Sequence, residues 1–152
     1  MLSRTAEYLY WISRYMERAE TTARLLDVGY RMSLFPNPSG YNNEWESVLS
    51  AAGAIEGYKN KYDTIEQKNV EDYLFFDESN PSSVYNCILN ARNNALVVRT
   101  SFTPESWLAI NKTYQEILNL KEKKFTKSDL PDLTEWTICL LYTSDAADES
   151  SS

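Results

Sequence analysis

The sequence predicts an all-α protein, a helical bundle that opens with one long helix. Apolar residues recur every three to four positions through residues 3–34, which is the spacing of a helix face. Two later segments, Asn80-Pro81 and Thr103-Pro104, combine a capping residue with a proline that suits the first helical turn. Strand-like alternation nowhere extends beyond four residues. These observations favour helices along the whole chain.

The first part of the chain divides into a long helix, a loop and two short segments. The long helix is predicted from Ser3, a suitable N-cap, to Leu34. The loop at Phe35–Asn43 contains two Pro and one Gly. A short helix is predicted at Glu44–Ala52, and a further short turn at about Glu56–Lys61.

Two more helices are predicted in the middle of the chain. Asp63 and Glu66 have the spacing of a capping box, which would open a helix that continues through Phe76. Asn80, as an N-cap before a proline, would start the next helix, which runs to about Ser101.

The end of the chain changes in character. After a helix from Pro104 to about Lys123, a last helix is predicted to begin near Leu130-Pro131. Residues 139–152, CLLYTSDAADESSS, are then small, acidic and serine-rich. The segment CLLYTSDAADE resembles a translated sequencing-adapter remnant, so we expect a native domain at 1–138 and a non-native tail at 139–152. The alternative is a short disordered tail.

Composition and charge argue against several classes of protein. A chain of 152 residues suits one domain, and a formal net charge of −7 does not suit a nucleic-acid-binding surface. No apolar run approaches the roughly 20 residues that a membrane span needs, and the N-terminus lacks a signal-peptide pattern. A cytoplasmic location is therefore expected.

There is no His, Cys87 and Cys139 form no ligand cluster, and the glycines lack phosphate-loop spacing. Neither a metal nor a cofactor is expected.

The long first helix is predicted to pack on two sides. Its core side is an apolar stripe made of Tyr8, Ile12, Tyr15, Met16, Ala19, Ala23, Leu26, Tyr30 and Leu34. The opposite side mixes large apolar residues with charges: Glu7, Tyr10, Trp11, Arg14, Arg18, Thr21, Leu25, Val28 and Met32. Because a surface helix is normally polar on its outer side, this side is predicted to pack on another layer or on a partner.

Charged residues Arg14, Glu17, Arg18 and Glu20 lie on or beside that second side. One interpretation is a set of solvated pairs, each worth a few tenths of a kcal/mol. The other is a partly buried polar network between helices. There every charge needs a partner, because a lone buried ion costs several kcal/mol. Spacing leaves both open.

Further candidate residues lie on the helix predicted after Asn80. Arg92 and Arg99, seven residues apart, flank its apolar stripe, where a guanidinium either snorkels to solvent or pairs with a carboxylate. Ser82 lies in the predicted first turn, where capping explains a hydroxyl, although free N–H groups there could receive an anion. Cys87 is expected to be a packing residue.

Several longer stretches resemble a known family. They are MLSRTAEYLYWISRYMERAETTARLLDV with Glu17-Arg18 inside YMERAE, then EWESVL, FFDESNPSSVYNCILNARNNALVVR and the stretch from Trp107 to Tyr114. They are similar to the bacterial alpha-E domain proteins, an all-helical family named for an E-R motif. The resemblance covers about residues 1–138. It implies that the chain is the first half of a two-repeat protein, and that the second side of the first helix packs on the missing C-terminal half.

The resemblance also implies a function. Members are typically encoded beside a circularly permuted ATP-grasp protein and a transglutaminase-like protease, which implies ATP-dependent formation of amide or peptide bonds. The chain is then expected to be a helical, non-catalytic partner of the ATP-grasp ligase. Its recognition residues would be Glu17, Arg18, Arg14, Asn80, Ser82, Arg92 and Arg99, with the guanidinium groups of Arg18, Arg92 and Arg99 available to a carboxylate or phosphate.

Two alternatives to this partner role stay open. In the first, the chain is an enzyme of the same pathway that uses Glu17 in acid–base chemistry and Arg18 as an electrophile. In the second, it is a structural bundle in which Glu17 and Arg18 only fix the register of the helices.

Overall fold

The computed structural model describes residues 2–36 and 43–123. Within these ranges the backbone forms six α-helices, a short 3-10 turn at Arg99–Ser101 and no strand, which confirms the all-α prediction. The helices are α1 (Leu2–Ser33), α2 (Asn43–Ala51), α3 (Ile55–Lys61), α4 (Gln67–Phe75), α5 (Val84–Val97) and α6 (Pro104–Glu122).

The long helix α1 and the helix α5 form the centre of the fold. α1 packs along α5 and also contacts α2 and α4, while α6 packs against α5. α5 therefore lies between α1 and α6, and the core is divided between its two sides. One side of α1 is buried by this arrangement, and the other side is left without a covering helix among the described residues.

The predicted core stripes are largely confirmed. On α1 the buried members are Ile12, Met16, Ala19, Ala23 and Leu26. On α5 they are Val84, Ile88, Ala91 and Ala95, and Val98 is buried just after that helix ends. The side chains of Ala19 and Ala23 are small, which allows the axes of α1 and α5 to approach closely. Leu34 is exposed, contrary to the prediction, because α1 ends at Ser33 and the chain turns away.

The predicted starts of α4 and α5 are wrong by a few residues. The hydroxyl of Tyr58 explains the error at α4. α4 begins at Gln67, so Asp63 and Glu66 do not form a capping box at its start. The hydroxyl of Tyr58 donates to the Thr64 carbonyl oxygen at 2.7 Å and accepts from the Glu66 N–H at 3.4 Å. This buried tyrosine takes the Glu66 N–H, one of the two donors that the capping box would have used, and its bond to Thr64 holds this segment outside the helix.

The second wrong start is that of α5. The helix is capped by Ser83, whose hydroxyl accepts from the Asn86 N–H at 3.1 Å, and not by Asn80. Asn80 uses its own amide within the preceding turn, as described below. At the other end α5 stops at Val97, and the 3-10 turn accounts for the residues up to Ser101 that were predicted as helix.

The remaining boundaries lie close to the prediction. α6 starts at Pro104, and the Thr103 hydroxyl accepts from the Ser106 N–H at 3.2 Å, which confirms this cap. α1 starts at Leu2, so Ser3 lies in its first turn and not at its N-cap. The helix predicted near Leu130-Pro131, the tail at 139–152 and most of the loop at Phe35–Asn43 lie outside the described residues.

α1 and α2 approach closely at Gly29. A Cβ at this position would lie 2.8 Å from Val48 Cγ2 and 2.9 Å from Trp45 Cζ3. We expect Gly29→Ala to lower the free energy of unfolding by about 1–2 kcal/mol, because overpacking outweighs the roughly 1 kcal/mol that alanine gains in helix propensity. Urea unfolding measures this loss. Ser13→Ala, at an exposed site on α1, is the control, and a stabilised Gly29→Ala protein would contradict the contact.

Candidate functional site

The side of α1 that faces away from α5 carries exposed apolar groups at both of its ends. We call this side the outer strip and define it by Tyr10, Trp11, Arg14, Glu17, Arg18, Thr21, Val28 and Met32. The exposed fractions are 57% for Tyr10, 42% for Trp11, 49% for Val28 and 54% for Met32. The rings of Tyr10 and Trp11 meet edge to face at 5.5 Å. Side chains of this size are normally buried, so the strip has the composition of a contact surface.

The Glu17-Arg18 pair lies at the centre of the outer strip. Glu17 Oε2 accepts from Arg14 Nη1 at 3.1 Å, and the two side chains are 63% and 50% exposed. The Glu17 carbonyl oxygen accepts from the Thr21 hydroxyl at 2.9 Å. Arg18 makes no ion pair among the described residues, and its guanidinium carbon lies 5.9 Å from the centre of the Tyr15 ring. Arg18 is therefore a charge available to another molecule.

Arg14, Glu17, Arg18 and Thr21 line a shallow, open depression of about 230 Å³. A general acid or base needs a position that holds its proton next to a bound substrate. The described residues form no closed cleft around Glu17 of that kind. The depression presents one carboxylate and two guanidinium groups that side chains of a partner protein could contact. This arrangement suits recognition of a partner.

Asn80 and Ser82 lie elsewhere, in the turn between α4 and α5. Asn80 is 3% exposed; its Nδ2 donates to the Tyr73 carbonyl oxygen at 3.0 Å, and its Oδ1 accepts from the Ser82 N–H at 3.1 Å. The Asn80 carbonyl oxygen accepts from the Ser83 N–H at 3.0 Å. The N–H groups of Ser82 and Ser83 are therefore used within the turn, which agrees with local hydrogen bonding and not with the alternative of an anion site.

Arg92 and Arg99 lie on the seam between α5 and α6. The guanidinium of Arg92 lies over the Tyr114 ring at 4.9 Å, and that of Arg99 lies over the Trp107 ring at 5.2 Å. Both contacts are cation–π interactions: Arg92 joins α5 to α6, and Arg99 joins the 3-10 turn after α5 to α6. Within the described residues the buried Nε of Arg92 has no hydrogen-bond acceptor. The two arginines thus join α6 to α5 through aromatic rings and not through carboxylates.

The predicted site residues consequently fall into three separate places. Arg14, Glu17 and Arg18 share the outer strip, Asn80 and Ser82 share the turn before α5, and Arg92 and Arg99 share the seam with α6. No hydrogen bond or ion pair found in the described ranges joins one place to another. In the first place, exposed charges lie on the same helix side as exposed aromatic and aliphatic residues. Exposed apolar residues also occur on α5 and α6, at Leu96, Val97 and Leu108.

Cys87 is buried in the core, as predicted for a packing residue. Burial raises the pKa of its thiol to about 11, although the positive charge of Arg18 opposes this shift. The thiol is therefore protonated at neutral pH, which makes it a poor nucleophile.

The sequence did not predict a cleft between α3, α4, the following turn and the end of α6. Its volume is about 730 Å³, and its lining combines lysines with carboxylates: Lys61, Lys68, Asp72, Asp77, Glu78, Lys121 and Lys123. Lys61 pairs with Asp77, and Lys121 Nζ lies 3.0 Å from Glu78 Oε1. No motif predicts the cleft, because its residues come from segments far apart in the chain.

Two carboxylates of the cleft differ in their surroundings. Burial alone would raise the pKa of Asp77, but hydrogen bonds from Lys61 and Ser79 outweigh it, so the pKa lies below its ordinary value. Burial raises the pKa of Asp72, and the charge of Lys68 only partly compensates. The carboxylates of the cleft are thus each close to a lysine that the chain itself supplies.

Neither a metal-binding cluster nor a membrane-spanning helix is present in the described part of the chain. Among residues 2–36 and 43–123, no group of three or more His, Cys, Asp or Glu side chains could hold a metal ion. No helix in these ranges combines the length and the apolar character that crossing a bilayer requires.

Comparison with known proteins gives one match. A family model, Alpha-E, described as a predicted alpha-helical domain with a conserved ER motif, matches residues 1–148. Glu17-Arg18 is the only Glu-Arg dipeptide in the sequence. No curated protein and no solved structure matches the chain.

Proposed function

The chain belongs to the Alpha-E family of alpha-helical domains, and from that premise we propose that it is a non-catalytic helical component of a larger assembly. In this proposal the outer strip of α1 is a helix-packing surface, and Glu17 and Arg18 form its polar centre. The assembly is an ATP-grasp-linked system that forms amide or peptide bonds.

The observation that carries the binding role is the exposure of large apolar side chains on the outer strip. Tyr10, Trp11, Val28 and Met32 are in contact with water, and covering them would contribute about 25 cal/mol for each Å² of apolar surface removed. The charges between them penalise wrong partners and wrong orientations, and an arginine that meets a carboxylate of the partner also contributes affinity. An ordinary solvated helix side would carry polar residues in these places.

The surroundings of Glu17 favour recognition over acid–base catalysis. Its carboxylate is open to solvent and is paired with Arg14. A catalytic carboxylate would need a shielded position beside the substrate, and the depression around Glu17 is wide and shallow. We therefore assign Arg14, Glu17 and Arg18 to partner recognition in this proposal.

The proposed partners are an ATP-grasp-type ligase and a transglutaminase-like protein. This part of the proposal is supported by the family resemblance alone. The ligase would carry out the ATP-dependent step, and the chain would contribute no reacting group to it.

The test is binding of the purified chain to the ATP-grasp-type protein encoded beside its gene, measured by calorimetry. We expect a complex, and we expect Arg18→Ala to weaken it at least about tenfold, because an unpaired guanidinium at the centre of the strip is lost. Arg24→Ala is the matched control: Arg24 is also exposed on α1, but it pairs with Glu20 at 2.7 Å.

Three outcomes would argue against this proposal. The first is no complex, and the second is an equal loss for Arg18→Ala and Arg24→Ala. The third is a Glu17→Gln chain that binds normally while product formation stops, which would support the acid–base alternative instead.

A further inference from the structure

The cleft between α3, α4, the following turn and the end of α6 is separate from the outer strip. None of the described residues that line it belongs to α1. Its volume of about 730 Å³ lies within the roughly 300–1,000 Å³ of pockets that hold small molecules. Tyr62 and Phe76 contribute aromatic surface to its lining. The cleft therefore has the size and the mixed lining of a site for a small organic molecule.

The charge of the cleft is opposite in sign to that of the chain. Its described lining contains four lysines and three carboxylates, an excess of one positive charge, whereas the whole chain carries a formal net charge of −7. A cleft whose lining has an excess of one charge raises the local concentration of ligands of the opposite sign. Because the excess is small, the choice of ligand depends on which charged groups the chain already uses.

The carboxylates of the cleft are largely used by the chain itself. Asp77 Oδ1 accepts from the Ser79 hydroxyl at 2.6 Å and from the Ser79 N–H at 2.8 Å, and Asp77 Oδ2 accepts from Lys61. The Asp77 side chain is only 8% exposed. Glu78 Oε1 lies 3.0 Å from Lys121 Nζ. A ligand cation would have to displace lysines that already occupy these oxygens.

The ammonium groups, in contrast, keep unused hydrogen-bond donors. Lys68 and Lys123 make no ion pair with any residue in the described ranges. Each ammonium has three donors, so Lys61 and Lys121 also keep donors beyond their contacts with Asp77 and Glu78.

Two of the lysines are already held in position. Asp77 holds Lys61, and Lys121 lies between Glu78 and the Tyr85 ring, with its Nζ 4.0 Å from the centre of that ring. A side chain that the protein has already ordered loses less conformational entropy when it binds a ligand. The arrangement thus favours a ligand that brings acid groups.

We propose that this cleft binds a small organic dianion, whose charge is carried by two carboxylates or by one phosphate. Lys68 and Lys123, the two lysines without an ion pair, supply the main contacts, which is why two negative charges suit the site. Lys61 and Lys121 supply further donors, and Tyr62 contacts the apolar part of the ligand. This site goes beyond the proposed function and does not depend on it.

The first measurement is a calorimetric titration of the complete 152-residue chain with three probes that share a benzene ring: phthalate, phenyl phosphate and benzamide. We expect at least one of the two anions to bind saturably with a Kd below about 1 mM, and the neutral benzamide not to bind. The ratio of the two anion affinities identifies the acid group that the cleft prefers. Absence of binding by both anions, or equal binding of benzamide, would overturn the proposal.

Removal of the unpaired lysines tests the location. Lys68→Gln/Lys123→Gln should weaken binding of the tighter anion at least about tenfold, because both main contacts are lost. Lys59→Gln/Lys112→Gln is the matched control: it removes the same two charges from exposed positions outside the cleft, and should change the affinity less than about twofold. Equal losses for the two double variants would show an effect of total charge and would overturn the site.

Removal of a carboxylate should have the opposite effect. Asp72 lines the cleft, and Asp72→Asn takes away a negative charge that repels the ligand, so we expect the anion to bind about threefold more tightly. Glu46→Gln removes the same charge from an exposed position on α2 and should leave the affinity unchanged. Weaker binding by Asp72→Asn would contradict an anion in the cleft.

The two proposals of this article can fail separately. Since the cleft contains no described residue of the outer strip, the Lys68→Gln/Lys123→Gln chain should bind the ligase as the wild type does. A wild-type chain that binds the ligase but neither anion would remove this inference and leave the proposed function standing. A chain that binds the anion in the cleft but not the ligase would do the reverse.

Discussion

Trp45→Ala is expected to lower the free energy of unfolding by about 3–5 kcal/mol, the largest effect of any single substitution considered for this protein. Trp45 on α2 is 1% exposed, and its ring lies against Gly29 of α1. Truncation removes the hydrophobic transfer energy of the indole and leaves a cavity that the two helices cannot close without moving. Because α2 is only nine residues long, it depends on this side chain to remain attached to α1.

Trp11→Ala is the matched control, since it removes the same side chain from an exposed site. Trp11 contacts Tyr10 and Tyr15 on its own helix. We expect a loss of less than about 1 kcal/mol when the two proteins are compared by urea unfolding at low protein concentration. Equal losses for the two tryptophans would contradict the assignment of Trp45 to the core and Trp11 to the surface.

The main features of the fold could be predicted because local and tertiary preferences agree in them. The stripe from Ile12 to Leu26 has the helical period, and each of its buried members lies on the side that meets α5 or its neighbours. At Thr103-Pro104 the cap and the proline favour the same helix start. The Thr103 hydroxyl accepts from the Ser106 N–H, as the capping rule predicts. Where all the residues that determine a helix or its cap lie within a few positions of each other, the sequence is enough to predict that element.

The wrong helix starts have the opposite cause. Tyr58 is five residues from Asp63, and it binds the Thr64 carbonyl and the Glu66 N–H from an adjacent helix. Asn80 reaches back seven residues to Tyr73. These bonds join side chains to backbone groups six to eight residues away, and a reading of the sequence in short windows does not include them.

The sequence predicted which residues lie on the second side of α1, but it did not predict which other candidate residues lie near them. The mixed outer side of α1 is evident from spacing, and the prediction that it packs on a further layer stays a prediction, because no described helix covers it. The separation of Asn80 and Arg92 from Glu17 depends on how α5 packs between α1 and α6. The cleft lined by Lys61, Asp77 and Lys121 likewise exists only when segments far apart in sequence meet.

Asn80 allows a structural role to be separated from a recognition role. Its side chain makes two hydrogen bonds at a buried site, one to the Tyr73 carbonyl oxygen at the end of α4 and one from the Ser82 N–H before α5. Asn80→Ala would leave both backbone groups without these partners. Each unsatisfied buried group costs about 1–3 kcal/mol, so we expect a total loss of about 2–4 kcal/mol in the free energy of unfolding.

Two further variants make this expectation specific. Asn93→Ala removes the same side chain from an exposed position on α5 and should change the free energy of unfolding by less than about 0.5 kcal/mol. Asn80→Asp keeps an acceptor for the Ser82 N–H but places a buried carboxylate oxygen against the Tyr73 carbonyl oxygen, so it should be no more stable than Asn80→Ala. Urea unfolding orders the four proteins. If Asn80→Ala kept full stability and lost only ligase binding, Asn80 would be a recognition residue. The expected order instead means that its two bonds stabilise the turn between α4 and α5, which is a structural role.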